Sequence, residues 1–377
     1  MKTYINIQGL RAVAVLMVTV SHIYWPILPL RTHWSQEFVD SIGPAGVDLF
    51  FVISGFVIYL MAKRSGKVAE TKGRFFAFWE FVVKRLIRIY PVYWIAFGVA
   101  TLIMGYVELA PDWLEKKPWL ELFLLVSQPN NRILAAWTLI LEMYFYAVAA
   151  LVILILPRHI VLGFSIWFAV VTAAIALAFL LGKDWMLMTA FTSLLYDFLF
   201  GMAIGWLIER KIAGWGISSI AIGVLSLLVG AAFFRMHGGW FSMPSWYRMA
   251  CFGIPSAFIV YGFVAVEVRS GWTFAKPWQR LGDASYSVYI WHQMIFACLA
   301  MACTKMGWMD SVPSKVLGAG FIIIAISVGF FSYYRIERPI LKLARAILLK
   351  EPKSTIVWMD RAPNADTRSA VATTASN

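Results

Sequence analysis

The chain has 377 residues, 61% of them hydrophobic and only 14% charged, with a net charge of +13. A water-soluble domain carries about a quarter charged residues. One aqueous core cannot bury this much apolar side chain, so a soluble enzyme is excluded and the surplus must face lipid. The positive charge fits Lys and Arg gathered in cytoplasmic loops better than nucleic-acid binding.

A spanning helix needs about 20 mainly apolar residues. Ten stretches meet this, at 10–30, 43–62, 90–109, 134–156, 160–181, 187–208, 212–234, 249–266, 284–303 and 315–334. The first is too long for a signal-peptide core and is read as a retained span. The expected fold is an all-α polytopic membrane protein with ten transmembrane helices. Placing both ends in the cytosol puts about three quarters of the 33 Lys and Arg on the inner side, which sets the orientation as N-in and C-in. The 18 Trp and 15 Tyr suit membrane interfaces.

Between the second and third spans, RFFAFWEFVVKRLIR (74–88) mixes aromatic and basic residues and predicts a helix lying in the cytosolic interface. The outer loop 110–133 carries Asp112, Trp113, Glu115, Trp119 and Glu121 and is expected to cap the outer face. Residues 1–345 make one membrane domain. Residues 346–377, rich in Ala, Ser, Thr and Asn, predict a disordered cytosolic tail. Cys251, Cys298 and Cys303 lie in apolar stretches and form neither a disulfide framework nor a zinc pattern. No metal site is expected.

Charged groups in hydrocarbon are costly and mark function or a buried partner. Measured along each span, His22 and Glu142 lie about 12 Å below the outer edge, Asp48 about 8 Å and His292 about 18 Å. A histidine beside a carboxylate is a general base poised near neutral pH, and a sugar hydroxyl needs such a base to attack a thioester. His22, Asp48 and Glu142 are therefore the candidate catalytic set, against the alternative that they join helices by hydrogen bonds. Asp197 is expected to pair internally. At the inner edge stand Arg11, Lys84, Arg85 and Arg88. Such groups suit phosphates, although Lys84 reads better as an anchor to lipid headgroups. This polarity matches a coenzyme A thioester, with its phosphates held at the cytosolic edge and its flexible arm reaching outward. Ser54 and Gly55 would leave room for that arm, or, for Gly55 above all, let helices approach closely. Trp137 stands at the outer end of the fourth span. Tyr144, Tyr286 and Tyr289 lie inside spans, where they could hydrogen-bond an acceptor sugar or the acyl carbonyl.

The same residues carry a resemblance to the acyltransferase-3 family of membrane acyltransferases. Its cues are IQGLRAVAVLMVTVSH, with Arg11 and His22 separated by ten residues, then GVDLFFVISGFVI (46–58), RLIRIYPVYW (85–94), WTLILEMYFY (137–146), SYSVYIWHQMI (285–295) and IERPI (336–340). The similarity runs from Asn6 to about Lys342. It implies a multi-pass enzyme of the bacterial cytoplasmic (inner) membrane. Such an enzyme O-acylates lipopolysaccharide, exopolysaccharide, peptidoglycan or a lipid-linked saccharide precursor. It also implies His22 as base, Arg11, Arg85 and Arg88 as donor-handling residues, and acyl-CoA (acetyl-CoA or succinyl-CoA) as co-substrate without a permanently bound cofactor. Trp137 falls in one family motif, and His292 is assigned to the pocket as a non-basic residue. This chain has Thr138 where Ser is commoner, and Gln293–Met294 where a Pro often follows the histidine. No soluble hydrolase-like domain follows the spans in this sequence, so acceptor selection is expected from the membrane part. A transporter of a lipid-linked sugar or acyl donor explains buried charges equally well, but no inverted repeat supports it.

Overall fold

The computed structural model describes residues 4–23, 41–106, 118–126, 133–182, 194–237 and 245–349. Among these residues the chain is helical throughout, without a strand. The longer helices among the described residues are α1 (Ile5–His22), α2 (Ala45–Lys72), α3 (Arg74–Tyr106), α4 (Trp137–Ile155), α5 (Ile160–Leu180), α6 (Leu195–Glu209), α7 (Gly216–Met236), α8 (Ile254–Ser270), α9 (Lys276–Asp283), α10 (Ser285–Lys305), α11 (Ser314–Ser332) and α12 (Arg338–Leu348). In lipid every backbone polar group must be satisfied within its own segment, so the apolar runs become helices.

Nine helical stretches among the described residues are long and apolar enough to cross a membrane. The tenth expected span corresponds to α6, whose described part has 15 residues. The first third of that span, 187–193, lies outside the described residues, as do most of the outer loop and residues 350–377. The protein is a multi-pass membrane protein. The interfacial segment 74–88 and the third span are one helix, α3, with Pro91 inside it. Phe75, Phe76 and Trp79 at its start are exposed, as expected of a helix end resting among headgroups.

Helix α2 is the central element. It packs on α1, α3, α4, α6 and α8. In its most apolar stretch 72% of the residues are buried, against 28% in α5, which lies at the rim with its side chains turned outward. Two glycines allow the closest crossing. A Cβ on Gly55 would stand 1.9 Å from the Phe198 carbonyl oxygen, and one on Gly201 equally close to that of Val52. Small residues let backbones meet when no water drives helices together. Gly55 therefore serves helix approach and faces α6.

Helix α1 is pinned at its start. The Glu267 carboxylate of α8 accepts the Ile5 and Asn6 backbone N–H groups at 2.8 and 2.7 Å. The Asn6 side-chain amide donates to the Phe263 and Trp272 carbonyls. These bonds satisfy otherwise orphaned first-turn donors with a negative group at the positive end of the helix. They also fix the register of the helix that carries Arg11 and His22.

Candidate active site

Arg11 and His22 are eleven residues apart, about three turns, so both project from one face of α1. Beside that face a cavity is lined by α1, α2, α3, α4 and α10. Arg11, Arg85 and Arg88 contribute its cations, Ser54 its α2 hydroxyl, and Glu142 its carboxylate; Tyr146, Tyr286 and Tyr289 complete the polar wall. On α2 the lining runs from Val47 to Ile58, about 16 Å of helix.

The three arginines are held differently. Arg88 is ion-paired with Glu337, which is fully buried and also accepts a hydrogen bond from Ser287 Oγ at 2.7 Å. The Arg88 guanidinium lies 5.4 Å from the Tyr286 ring centre. Arg85 stacks 5.6 Å from the Tyr146 ring centre, and its buried Nε has no hydrogen-bond partner. Tyr146 donates its hydroxyl proton to Glu142, which ties the cavity carboxylate to the Arg85 stack. Arg11 lies within electrostatic range of Arg88, Asp283, Glu337 and Glu142. Lys84 does not line this cavity; it pairs with Glu80 one turn back at 2.7 Å.

His22 does not line the cavity either. It is linked to it through His292 and Tyr289. The His22 and His292 rings are 5.1 Å apart, with His292 Nε2 3.3 Å from His22 Nδ1. Each Nδ1 also meets a backbone carbonyl, Val18 O at 2.8 Å for His22 and Tyr289 O at 2.6 Å for His292. A carbonyl only accepts, so both Nδ1 atoms carry the proton. The His22 Nδ1–H is shared with the lone pair of His292 Nε2. His22 Nε2 is left as the unprotonated nitrogen, the tautomer a base requires. Tyr289 lines the cavity while its hydroxyl meets Thr138 Oγ1 at 2.8 Å and donates to Ala135 O at 3.0 Å. Thr138 thus supplies the same hydroxyl that Ser would. Tyr286 donates to Ile89 O at 2.7 Å.

Three expected site residues sit elsewhere. Asp48 is fully buried and takes a two-point contact from Arg248, at 3.0 Å from Nε and 2.7 Å from Nη2. Arg248 also donates to Pro44 O. Asp197 is buried beside Asp48 and within electrostatic range of Arg248, but neither of its carboxyl oxygens has a hydrogen-bond partner, so the expected internal pairing is not made. Among the described residues no carboxylate contacts His22; the neighbour expected to be an acid is the His292 imidazole. Arg248 captures Asp48 because two charges in a dry interior must meet or neutralise. Tyr144 points to α5, where Trp167 Nε1 approaches its hydroxyl at 3.5 Å. Trp137 packs against the main apolar core at the start of α4. Sequence reasoning missed Arg248, which borders the eighth span, and gave no role to Glu337, although IERPI was in view.

The model of the family described as Acyltransferase domain matches residues 4–337. The exopolysaccharide production protein ExoZ of Rhizobium meliloti (strain 1021) is 30% identical over 328 residues, covering 81% of this chain and 92% of that protein. A protein of Komagataeibacter xylinus named as a membrane-bound transacylase, BcsY, is 26% identical over 359 residues, covering 88% of this chain and 82% of that protein. No solved structure matches the chain at a significant level. With all but its first residues and C-terminal segment inside one family match, this chain belongs to the acyltransferase-3 family and is a membrane acyltransferase.

Proposed function

We propose that this enzyme transfers an acyl group, acetyl or succinyl, from cytosolic acyl-CoA to a hydroxyl of an extracytoplasmic or lipid-linked saccharide. The observation that carries this reading is the cavity itself. It joins three arginines at one end to Tyr289 at the other, and Tyr289 leads through His292 to His22. Exopolysaccharide production and transacylation in the names of the two relatives supply the acceptor class. In this reading the arginine end faces the cytosol of a bacterium whose inner membrane holds the protein. The loop-charge bias supports that orientation.

Arg11 and Arg85 bind the donor phosphates, with Arg88 held in place by Glu337. Guanidinium forks suit such groups. Lys84 is left to the headgroup region. The pantetheine arm passes Ser54 and Glu142 and brings the thioester toward the paired histidines. Asp48 acts from a distance, by fixing the start of α2 through Arg248.

His22 Nε2 takes the proton of the acceptor hydroxyl as its oxygen attacks the thioester carbon. The new C–O bond forms, the C–S bond breaks, and the imidazolium returns its proton to the departing thiolate, giving the ester and free coenzyme A. His292 holds the tautomer, a task the acid performs in a histidine–carboxylate pair. A positioned general base contributes about 10²- to 10⁴-fold. His22→Ala should therefore retain donor binding and lose acyl transfer by about that factor. The measurement is product formation by purified protein with labelled acetyl-CoA or succinyl-CoA and a saccharide acceptor. Transfer at near-normal rate by His22→Ala would remove the base from the mechanism. Mass spectrometry of glycans from cells with and without the gene identifies acyl group and acceptor together.

A further inference from the structure

A second cavity opens between α3 and α4, on the far side of Arg85 and Tyr146 from the first. These two residues line both cavities. Its other walls are apolar: Phe78, Phe81, Val82 and Leu86 from α3, with Met143, Ala147, Ala150 and Leu151 from α4. The spacing on α4 is that of one helix face, and the two alanines leave the space unfilled. The groove runs along roughly 12 Å of each helix. Ala147 and Leu151 are exposed, so it opens sideways, toward the lipid around the bundle.

Its chemistry is narrow. A nearly all-apolar lining takes hydrocarbon. Arg85 is the one cation in that lining, and the Nε of its guanidinium is buried without a partner. On this side the lining holds no acid to balance that charge, while Glu142, in the first cavity, is engaged by Tyr146. The molecule that brings a hydrocarbon chain and a net negative phosphate together, and that reaches the groove from the side, is an anionic phospholipid. We propose that the α3–α4 groove is a binding site for one anionic phospholipid of the surrounding leaflet, its acyl chain between the helices and its phosphate on Arg85. A zwitterionic lipid would bring an ammonium group that nothing in this lining balances. The bound lipid fixes Arg85, and Arg85 stacks on Tyr146, whose hydroxyl is bonded to Glu142 in the first cavity. The lipid thereby sets one wall of that cavity. Arg85 borders both cavities, so the lipid phosphate and the donor phosphates of the proposed function meet its guanidinium from opposite sides, and the lipid titration below uses donor-free protein to separate them.

The test uses full-length, donor-free protein, delipidated in a neutral detergent, and thermal unfolding with added phosphatidylglycerol, phosphatidylcholine or inorganic phosphate. Phosphatidylglycerol should raise the melting temperature of the wild type by roughly 5 °C, with little response to the other two additives. Ala147→Trp, which fills the groove from an exposed position, should lose this shift. Ile155→Trp, equally outward on α4 but away from the groove, should keep it. Native mass spectrometry of the wild type gives a reading that needs no variant: one phosphatidylglycerol should survive activation that strips phosphatidylcholine. A full shift in Ala147→Trp would overturn the site. An equal shift from phosphatidylcholine would overturn the role of charge. A shift reproduced by inorganic phosphate alone would assign the effect to the first cavity, and equal stripping of both lipids would overturn selective binding.

Discussion

The bundle holds two arginine–carboxylate assemblies, and they are built in opposite ways. Around Arg248 the Asp48 carboxylate closes on the cation in a two-point contact, with Asp197 buried beside it. Around Arg11, Arg85 and Arg88 the cations line open space, and Glu337 pairs with Arg88. Burial alone does not separate structural charges from functional ones, since Asp48 and Glu337 are both fully buried. What separates them is whether the pairing exhausts the charge. The closed cluster locks the start of α2 to the segment before α8. The open one keeps positive charge facing a cavity.

The sharpest way to break this comparison is to remove the cation of the closed cluster. Arg248→Met leaves the buried Asp48 carboxylate without its counter-charge, which costs roughly 3–5 kcal/mol. Thermal unfolding in detergent should show a large loss of stability, with little folded protein recovered. Wild-type stability in this variant would mean that the cluster is not a structural lock.

The next effect belongs to the open assembly. Arg11→Ala should raise the KM for the acyl donor about 10- to 100-fold, the worth of one or two charge-assisted hydrogen bonds, while kcat changes less. Donor titration at saturating acceptor measures both. An unchanged KM would reduce Arg11 to a helix anchor.

The histidine pair comes third. His292→Phe removes the lone pair that shares the His22 Nδ1–H, and Val18 O remains as its acceptor. A net hydrogen bond of about 1 kcal/mol predicts a fall in kcat of several-fold with KM unchanged. A loss as deep as that of His22→Ala would make His292 a second essential base. The smallest effect is expected for Lys84→Ala, whose pair with Glu80 on one helix face is worth about 0.3–0.5 kcal/mol. Donor kinetics should not move, and a clear rise in KM would bring Lys84 back to the donor site.

Much of the fold was legible because hydrocarbon imposes a one-dimensional rule. A segment either is apolar over some 20 residues or does not cross, so the helical class and nine of the ten expected spans follow from composition along the chain. The continuity of α3 through Pro91 was not legible, since proline and the interfacial residues before it both read as a boundary. Of the candidate site, the placement of Arg11 below His22 follows from helix geometry within one segment. That Arg85, Arg88, Glu142, Tyr286 and Tyr289 share one cavity could be suspected from depth, but depth carries no azimuth.

By itself, then, the order of residues determined which stretches form long apolar helices and which groups share a face of one helix. Only the packing of helices decided the partners. Asp48 and Arg248 are 200 positions apart, Arg88 and Glu337 249, and His22 and His292 270. No local periodicity links such pairs. They meet because glycine-lined crossings such as Gly55 on Phe198 fix how far each helix is turned about its axis. That rotation determines whether a buried charge ends against another charge or against an open cavity.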